Sequence, residues 1–379
     1  MQYDIIATAT FGLEAVVKRE VQDLGYEILK TEDGKITYRG DERAIVRSNL
    51  HLRTADRVML RMAEFTAETF EELFQQVKGI EWEGLIPPDG KFTVVGTSVK
   101  SKLHSVPACQ SICKKAIVER LGEAYMMTDF PETGADYTVR FAILKNKVTI
   151  SVDTSGAGLH KRGYRVETVP APIKETLAAA MVMLSFWNKD KVLIDPCTGS
   201  GTVAIEAAMI GRNIAPGLNR DFACSQWDLI PEAIWKEERK KAFEAIDYDS
   251  EIKIYGSDAS PKAIHAAVEN AIEAGVDDCI HFSRKDIKNI KADGEYGVII
   301  VNPPYGERIG EKDQIEKIYE ALNNFLQENP TWSLFMITSD KDGEEKAGGR
   351  KADRRRKLYN GRLEVCYYQF HGKKPEKRK

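Results

Sequence analysis

The 379-residue sequence lacks three features that would each assign it to a class directly. No uninterrupted apolar run approaches the roughly 18 residues that suggest a membrane span. The first ten residues have neither the basic start nor the long apolar core of a secretory signal. The formal net charge is −3, which excludes a globally basic nucleic-acid-binding protein but leaves room for a local basic surface. We therefore expect a soluble, cytoplasmic protein without a membrane partner.

Cysteine is sparse, and its spacing matches neither a disulfide framework nor a metal site. The six cysteines are scattered and lack the paired spacing of zinc ligands, and no histidine cluster joins them. We predict reduced, buried thiols and no metal. The residues are Cys109, Cys113, Cys197, Cys224, Cys279 and Cys366.

Two patterns of secondary structure divide the chain. Residues 1–165 alternate short strand-like and helix-like segments, which is typical of an α+β module. From residue 166 strands alternate with helices in the manner of a parallel sheet, ending in a hairpin at Asn360-Gly361. Residues 211–250 interrupt this alternation with a polar, aromatic insertion. It is either an inert excursion or a cover over a ligand cleft.

A glycine loop follows the first strand of the second part, in V-L-I-D-P-C-T-G-S-G-T-V-A-I-E-A-A over residues 192–208. The strand ends at Asp195, and a helix begins near Thr202. Gly199 and Gly201 let the backbone approach a ligand, and the helix N-terminus offers free N–H groups. The loop lacks the third glycine of a dinucleotide fingerprint and the G-K-[ST] of a P-loop.

Two further carboxylates follow the next two strands. Asp258 in I-K-I-Y-G-S-D is placed to accept hydrogen bonds from a ribose diol, and Asp286 in S-R-K-D-I from an adenine amino group. An aspartate in such a position is, by itself, more often a helix cap or turn residue than a ligand contact. Three carboxylates at successive strand ends favour a nucleoside site.

The stretch V-I-I-V-N-P-P-Y-G, residues 298–306, predicts a buried strand that ends at Asn302. Pro303 and Pro304 fix φ and remove two backbone donors, so neither a strand nor a helix continues through them. The result is a stiff loop presenting an amide and the ring of Tyr305 at the sheet edge where ligands bind. A rigid exit from the strand is the plain alternative.

Basic residues gather between positions 100 and 165. They form either a solvated face or a surface that contacts nucleic-acid phosphates. The candidates for RNA contact are Lys100, Lys102, Lys114, Lys115, Lys161 and Arg162.

Together, D-P-C-T-G-S-G-T and N-P-P-Y resemble the class I S-adenosylmethionine-dependent amino-methyltransferases. With G-L-H-K-R-G-Y-R and A-P-I-K-E-T-L-A-A-A, the whole chain resembles bacterial RNA methyltransferases with a THUMP domain, above all the guanine-N2 methyltransferases of 23S ribosomal RNA. The resemblance implies an α/β fold: a Rossmann-like, mostly parallel methyltransferase sheet with an antiparallel final hairpin, preceded by an α+β ferredoxin-like and THUMP module that grips RNA. We divide the chain into a ferredoxin-like part (1–55), a THUMP domain (56–165) and a methyltransferase domain (166–379).

The resemblance also implies roles for individual residues. The acceptor loop would be Asn302, Pro303, Pro304 and Tyr305. S-adenosylmethionine would contact Asp195, Pro196, Cys197, Gly199, Ser200, Gly201, Thr202, Asp258, Ala259, Asp286, Ile287 and Asn302, and also Lys174, Glu175 and Thr176, although Glu175 reads equally as a surface helix residue. Ribosomal RNA is the expected partner, and a monomer is favoured.

Three other functions fit the same motifs. One is a transfer-RNA guanine-N2 methyltransferase. A second is an adenine-N6 methyltransferase of DNA or RNA, because N-P-P-Y serves several amine acceptors. The third is a non-catalytic RNA-binding assembly protein that has kept the fold, against which the intact Asp195, Gly199, Gly201, Asp258 and Asn302 argue.

Overall fold

The chain forms two compact units, each built on a seven-stranded sheet. This computed structural model describes residues 1–170, 172–304 and 311–374. The first unit contains Met1–Thr8, Lys18–Leu159 and Asp221–Lys240, and the second contains Ala9–Val17, His160–Arg220 and Lys241–Lys379. Each unit therefore draws on segments that are far apart in the sequence.

The first unit is the predicted α+β module. Its strands are β1 Tyr3–Ala9, β2 Ile28–Glu32, β3 Lys35–Gly40, β4 Ala55–Thr66, β5 Lys91–Val99, β6 Asp136–Leu144 and β7 Lys147–Asp153; the helices among residues 1–159 are α1 Glu14–Asp23, α2 Glu42–His51, α3 Phe70–Lys78 and α4 Val106–Tyr125, and the start of α1 belongs to the second unit. The sheet has the order β2-β3-β1-β4-β7-β6-β5, in which β5 and β6 are parallel. Lys145 and Asn146 join β6 to β7 with φ of 51° and 67°, the positive values that a two-residue hairpin turn requires.

The middle of the 211–250 insertion packs within the first unit. Trp227 is stacked on Tyr137 with 4.8 Å between ring centroids, and its indole nitrogen donates to the carbonyl oxygen of Asp136. The backbone N–H of Cys224 donates to the carbonyl oxygen of Thr154 at 3.1 Å. Trp227 of the insertion thus serves packing within the first unit.

The second unit has the predicted mostly parallel sheet. The elements from residue 160 onward are α5 Glu175–Leu184, β8 Leu193–Asp195, α6 Thr202–Gly211, α7 Glu232–Glu244, β9 Ile254–Asp258, α8 Pro261–Ala274, β10 Ile280–Arg284, β11 Val298–Val301, α9 Glu311–Glu328, β12 Ser333–Thr338, α10 Gly343–Gly348, β13 Arg354–Asn360 and β14 Leu363–Phe370; most of α7 belongs to the first unit. The strand order is β10-β9-β8-β11-β12-β14-β13. Neighbouring strands from β10 to β12 are parallel, and β14 pairs antiparallel with both β12 and β13. The predicted fold class, including the antiparallel final hairpin, is confirmed.

Strand β11 is buried on both faces. Val298 and Ile300 belong to one hydrophobic cluster, and Ile299 and Val301 belong to the other. A strand covered on both sides has no face for polar residues, which explains why this stretch is continuously apolar. The carboxyl ends of the parallel strands, where β11 passes into Asn302, meet at one edge of the sheet.

None of the helices in the described ranges combines the length and the hydropathy required to cross a membrane.

Candidate functional site

The glycine loop between β8 and α6 has the backbone conformation that its glycines allow. Gly199 and Gly201 have φ of 54° and 83°, which side-chain-bearing residues rarely adopt. A Cβ at Gly201 would lie 3.0 Å from the Cβ of Ala267 on α8, so a side chain here would also push on the helix packing. Gly201 is the N-cap of α6 and offers no side-chain oxygen to its first turn. The N–H groups of that turn are therefore available to a ligand.

Asp195 ends β8 as a buried carboxyl group with one unsatisfied oxygen. The residue is 1% exposed, and its Oδ2 accepts a hydrogen bond from Thr198 Oγ1 at 2.9 Å. Its Oδ1 has no hydrogen-bond partner among the described residues. Burial, with a smaller contribution from the negative charge of Asp258, raises the pKa of Asp195 from 3.8 to about 7. A positively charged ligand would satisfy both the orphaned oxygen and the unfavourable charge.

Asp258 ends the neighbouring strand β9 and holds the glycine loop. Its Oδ2 accepts from the N–H of Gly199 at 3.1 Å, and its Oδ1 accepts from the N–H of Ser260 at 2.9 Å. Asp286 follows β10, where it caps a short helix by accepting from the N–H of Lys288 at 3.1 Å. Both carboxylates therefore act as turn or helix-cap residues, the alternative role that the sequence also predicts for them. Each oxygen that accepts a single hydrogen bond can accept a second one, so a role in ligand binding remains open to both.

Asn302 follows β11, the strand that pairs with β8 on the side away from β9. It is half-buried, Pro303 is buried and Pro304 is exposed. Because β8 and β11 are parallel neighbours, Asp195 and Asn302 leave the same edge of the sheet. Tyr305 lies outside the described residues.

Two adjoining cavities lie along this edge and share Cys197, Asp258 and Pro304 in their walls. The first measures about 880 Å³ and the second about 560 Å³. Predicted site residues in the first wall also include Asp195, Gly199, Ser200, Thr202, Asn302 and Pro303. Those in the second include Pro196, Ala259, Asp286 and Ile287. The structure thus brings most of the predicted site residues to one place, while their individual contacts with a cofactor stay predictions.

The wall segment, residues 166–170 together with 172 and 173, forms part of the first wall through its residues from Glu167 onward. It is held in place by a residue that sequence reasoning missed. Asn270 on α8 is 1% exposed, and its Oδ1 accepts from the N–H groups of Val166 and Glu167 at 2.9 and 3.0 Å. Its Nδ2 donates to the carbonyl oxygens of Glu167 and Ser200, both at 3.0 Å. One amide therefore joins α8, the wall segment and the glycine loop.

Arg165 holds the other end of the wall segment. Its guanidinium donates to the carbonyl oxygen of Ile173 at 2.9 Å, to Thr202 Oγ1 at 3.0 Å and to Glu175 at 2.8 Å. Glu175 is 5% exposed, so the alternative of a surface helix residue is wrong. Burial raises the pKa of Glu175, and the charge of Arg165 opposes that rise.

The predicted cofactor contacts of Lys174, Glu175 and Thr176 stay predictions. These residues start α5 directly after Ile173, which lines the first cavity, but none of the three is among the residues that line either cavity. The insertion does not cover the site either: none of the described cavity-lining residues falls in 211–250.

The candidate RNA-contacting residues separate into two groups. Lys100, Lys102, Lys114, Lys115 and Lys161 are exposed or partly exposed, as a phosphate contact requires. Arg162 is 3% exposed and forms a buried ion pair with Glu206, its Nε lying 3.3 Å from Oε1. The prediction of an RNA contact for Arg162 is therefore wrong, because its guanidinium is committed to the interior of the second unit.

Three protein-family models match the chain in succession. The RlmL ferredoxin-like domain matches residues 4–59, the THUMP domain residues 67–153, and the RMKL-like methyltransferase domain residues 162–369. The last match spans more than half of the chain.

Relatives share the full length of the sequence. YpsC of Bacillus subtilis (strain 168), provisionally named an RNA methyltransferase, is 49% identical over 100% of this chain and 98% of its own. A crystal structure from Listeria monocytogenes str. 4b F2365, described as a predicted N6-adenine-specific DNA methylase, is 45% identical with a TM-score of 0.94 and covers 98% of this chain and 97% of its own. SMU.472, described as a methyltransferase and crystallised with SAH, is 43% identical with a TM-score of 0.93 over 99% of both chains.

Proposed function

The chain belongs to the RMKL-like methyltransferase family with a THUMP domain and uses S-adenosylmethionine, and we propose that it methylates the N2 amine of guanine in 23S ribosomal RNA. RNA methylation itself has the support of the THUMP domain and of the full-length relative named for that activity. The identity of the methylated base and the type of RNA are what we propose beyond this. The reaction would take place in the cytoplasm, where the protein would meet ribosomal RNA.

The observation that carries the proposal is that Asn302 lies beside residues predicted to bind the cofactor. Asn302 and Pro303 line the same cavity as Asp195 and Gly199. A polar group that can hold an amine therefore faces the space where a methyl donor would be bound. An orphaned carboxyl oxygen, a glycine loop and a second carboxylate fit a ligand that has positive charge and a ribose.

The chemistry of an exocyclic amine explains why the loop has this composition. Bound S-adenosylmethionine supplies a methyl group on a sulfonium centre, and the neutral thioether that remains is a good leaving group. The amine lone pair is delocalised into the base, so the nitrogen is a poor nucleophile. We propose that the side-chain oxygen of Asn302 and the carbonyl oxygen of Pro303 accept its two hydrogens and favour a pyramidal nitrogen. Positioning then provides most of the rate, because the methylated ammonium loses its proton readily.

The target base must leave its helix to reach this loop. We propose that Tyr305 stacks on the base, a contact worth about 1–3 kcal/mol. The five exposed lysines named above would hold the RNA through its phosphates.

A rival function has specific support. The Listeria relative is described as an adenine-specific DNA methylase, and the Asn302 loop suits an adenine N6 amine equally well. The THUMP domain favours RNA over DNA as the substrate. Transfer RNA in place of ribosomal RNA is a further alternative.

The test is methyl transfer from labelled S-adenosylmethionine to three separate acceptors: a 23S ribosomal RNA transcript, a transfer-RNA pool and duplex DNA. We expect label in the ribosomal RNA, recovered as N2-methylguanosine on nucleoside mass spectrometry. Label in adenine or in DNA would replace the proposal with its rival. Asn302→Ala should abolish transfer. Because Asn302 is also a predicted cofactor contact, transfer is measured at saturating S-adenosylmethionine, and near-normal turnover there would remove the loop from the mechanism.

A further inference from the structure

The C-terminal thirty residues carry a positive charge that is absent from the chain as a whole. Residues 350–379 contain twelve lysines and arginines but only three acidic residues. Their formal charge is +9, in a protein whose net charge is −3, so the remaining residues carry −12. Such a one-sided segment at the end of an acidic chain is the electrostatic footprint of a polyanion site.

The fold places five of these charges at one end of the edge strand of the second sheet. Strand β13 is the outer strand, and Arg354 at its start lies opposite Gln369 of β14. Arg350 donates to the carbonyl oxygen of His371 at 3.0 Å, and the N–H of His371 donates to Asp353 at 2.7 Å. The chain before β13 and the chain after β14 therefore lie side by side. We call the five cations brought together here the basic edge: Arg350, Lys351, Arg354, Lys373 and Lys374.

Most of the basic edge is open to solvent and not neutralised. All five residues are exposed. Arg350 pairs with Asp353 at 2.8 Å, but Lys351, Arg354, Lys373 and Lys374 form no ion pair with any carboxylate in the described ranges. In contrast, Arg355 and Lys357 further along the strand pair with Glu344 and Glu364 at 3.1 and 2.6 Å. Within residues 311–374, positive charge that no carboxylate neutralises is thus concentrated around the start of β13.

The imidazole of His371 lies in the positive electrostatic potential of the basic edge. Burial lowers the pKa of its imidazole, and the charges of Arg354, Arg350 and Lys374 lower it further, while Asp353 opposes them. Three cations from two segments therefore act on one side chain. A polyanion would relieve their mutual repulsion.

Edge protection is the simple alternative explanation, because lysine and arginine on an outer strand prevent pairing with another chain. That function requires charges on the strand itself, and Arg355 and Lys357 already provide them. It does not explain Arg350 and Lys351 before the strand, or Lys373 and Lys374 after β14.

We propose that the basic edge binds the phosphate backbone of the substrate RNA, as a contact separate from the THUMP domain and the acceptor loop. The inference rests on the proposed RNA substrate. Because β13 pairs antiparallel with β14, and β14 with β12, β13 runs parallel to β12 and β11. The start of β13 is therefore at the opposite end of the sheet from Asn302. An RNA that contacts both must span the length of a strand, roughly 20 Å at about 3.3 Å per residue. The inference thus specifies an RNA that extends at least this far along the protein.

The test neutralises three unpaired cations in the full-length protein, Lys351→Gln/Arg354→Gln/Lys373→Gln. The control removes the same charge from three exposed lysines elsewhere, Lys236→Gln/Lys253→Gln/Lys291→Gln. Affinity for a 23S ribosomal RNA transcript is measured by filter binding at several KCl concentrations. Each lost phosphate contact should reduce the salt slope by about 0.7–0.9, so we expect a slope smaller by about 2 and affinity at least about tenfold weaker. The control should retain the wild-type slope, and all three proteins should bind SAH equally.

Each outcome bears on the inference. An unchanged slope in the basic-edge variant would overturn it, as would an equal loss in the control, which would indicate a general effect of net charge. Binding to vesicles of phosphatidylglycerol and phosphatidylcholine that the variant loses, with RNA affinity intact, would assign the surface to membranes and also overturn it. A wild-type protein that binds SAH but none of the RNAs would refute the proposed function and the inference with it. If wild-type binds and methylates RNA while the variant is unaffected, only the inference fails.

Discussion

The side-chain nitrogen of Asn270 lies 3.0 Å from the carbonyl oxygen of Ser200, to which it donates a hydrogen bond from the middle of α8. Ser200 belongs to the glycine loop and lines the first cavity, whereas Asn270 does not. Together with its bonds to Val166 and Glu167, Asn270 fixes two walls of the cavity relative to each other. The shape of the first cavity therefore depends on a residue that does not line it.

Asn270→Asp should weaken cofactor binding. The carboxylate would still accept from the N–H groups of Val166 and Glu167, but it would face the carbonyl oxygens of Ser200 and Glu167 without a proton to donate. Leaving buried acceptors unpaired costs about 1–3 kcal/mol, so we expect the Kd for SAH to rise about tenfold in calorimetry. Asn188→Asp, on an exposed asparagine, is the matched control and should bind SAH normally. Normal SAH affinity in Asn270→Asp would show that the amide does not shape the site.

Asp195 should make the stability of the ligand-free protein depend on pH. Its pKa is about 7 in the folded protein against an ordinary 3.8, because burial disfavours the charged form. Well below pH 3.8 the carboxyl is protonated in both the folded and the unfolded state, so its burial carries no charge penalty. As pH rises to about 7 the unfolded state loses its proton first, so stability falls by up to about 4 kcal/mol and then levels off.

Asp195→Asn removes that titration while keeping an oxygen for Thr198 Oγ1. The difference in unfolding free energy between variant and wild type isolates Asp195, because the other titrating groups are common to both proteins. In urea unfolding of the ligand-free proteins, we expect the unfolding free energy of the variant to increase relative to that of the wild type between pH 5 and pH 8. Parallel pH curves would mean that Asp195 titrates normally. SAH binding should weaken in the variant, since the carboxylate that attracts a cation is lost.

Sequence patterns predicted the site where the signals are local. Asp195 and Asn302 each follow an apolar run, and Asp258 follows a strand-like stretch; neighbouring parallel strands bring their carboxyl ends to one edge of the sheet. The start of α8 also has a local signal, because Ser260 is a good N-cap and Pro261 suits the first helical position. Strand β2 has a weak one, since Ile28–Glu32 alternates between partly buried and exposed residues and carries no strong apolar face.

Tertiary partners explain what the sequence could not show. Arg162 lies in a basic run of the sequence, which predicts a surface residue. In the structure it is buried, because it pairs with Glu206, 44 positions later on α6. Asn270 has no flanking turn or cap signal that would separate it from any other helical asparagine. The packing of Trp227 against Tyr137 joins residues 90 positions apart, and no local pattern encodes it.

The buried Arg162–Glu206 pair should be costly to break. Glu206 is 0% exposed and also accepts a hydrogen bond from Tyr164 OH at 3.1 Å. Glu206→Ala would leave a guanidinium and a hydroxyl buried without this acceptor, and we expect a loss of about 3–5 kcal/mol in unfolding free energy. Glu232→Ala, which breaks the exposed pair with Lys236, should cost less than about 1 kcal/mol.

A double variant separates the charge effect from a general loss of packing. Arg162→Met/Glu206→Leu removes both charges and keeps apolar volume, so it should be clearly more stable than Glu206→Ala. If the double variant is as unstable as the single one, the pair matters through shape and not through its charges.

Lys114 and Lys115 should contribute to RNA binding by the first unit. Both are exposed on α4, and the ammonium of Lys115 lies 5.6 Å from the centre of the Phe74 ring. Lys114→Gln/Lys115→Gln should weaken binding to a 23S ribosomal RNA transcript and lower the salt slope by about 1.5–2, because two phosphate contacts are lost. Lys236→Gln/Lys253→Gln removes equal charge and should leave the slope unchanged. An unchanged slope in the α4 variant would identify this helix face as merely solvated, and RNA capture would then have to use other cations, such as Lys100, Lys102 or Lys161.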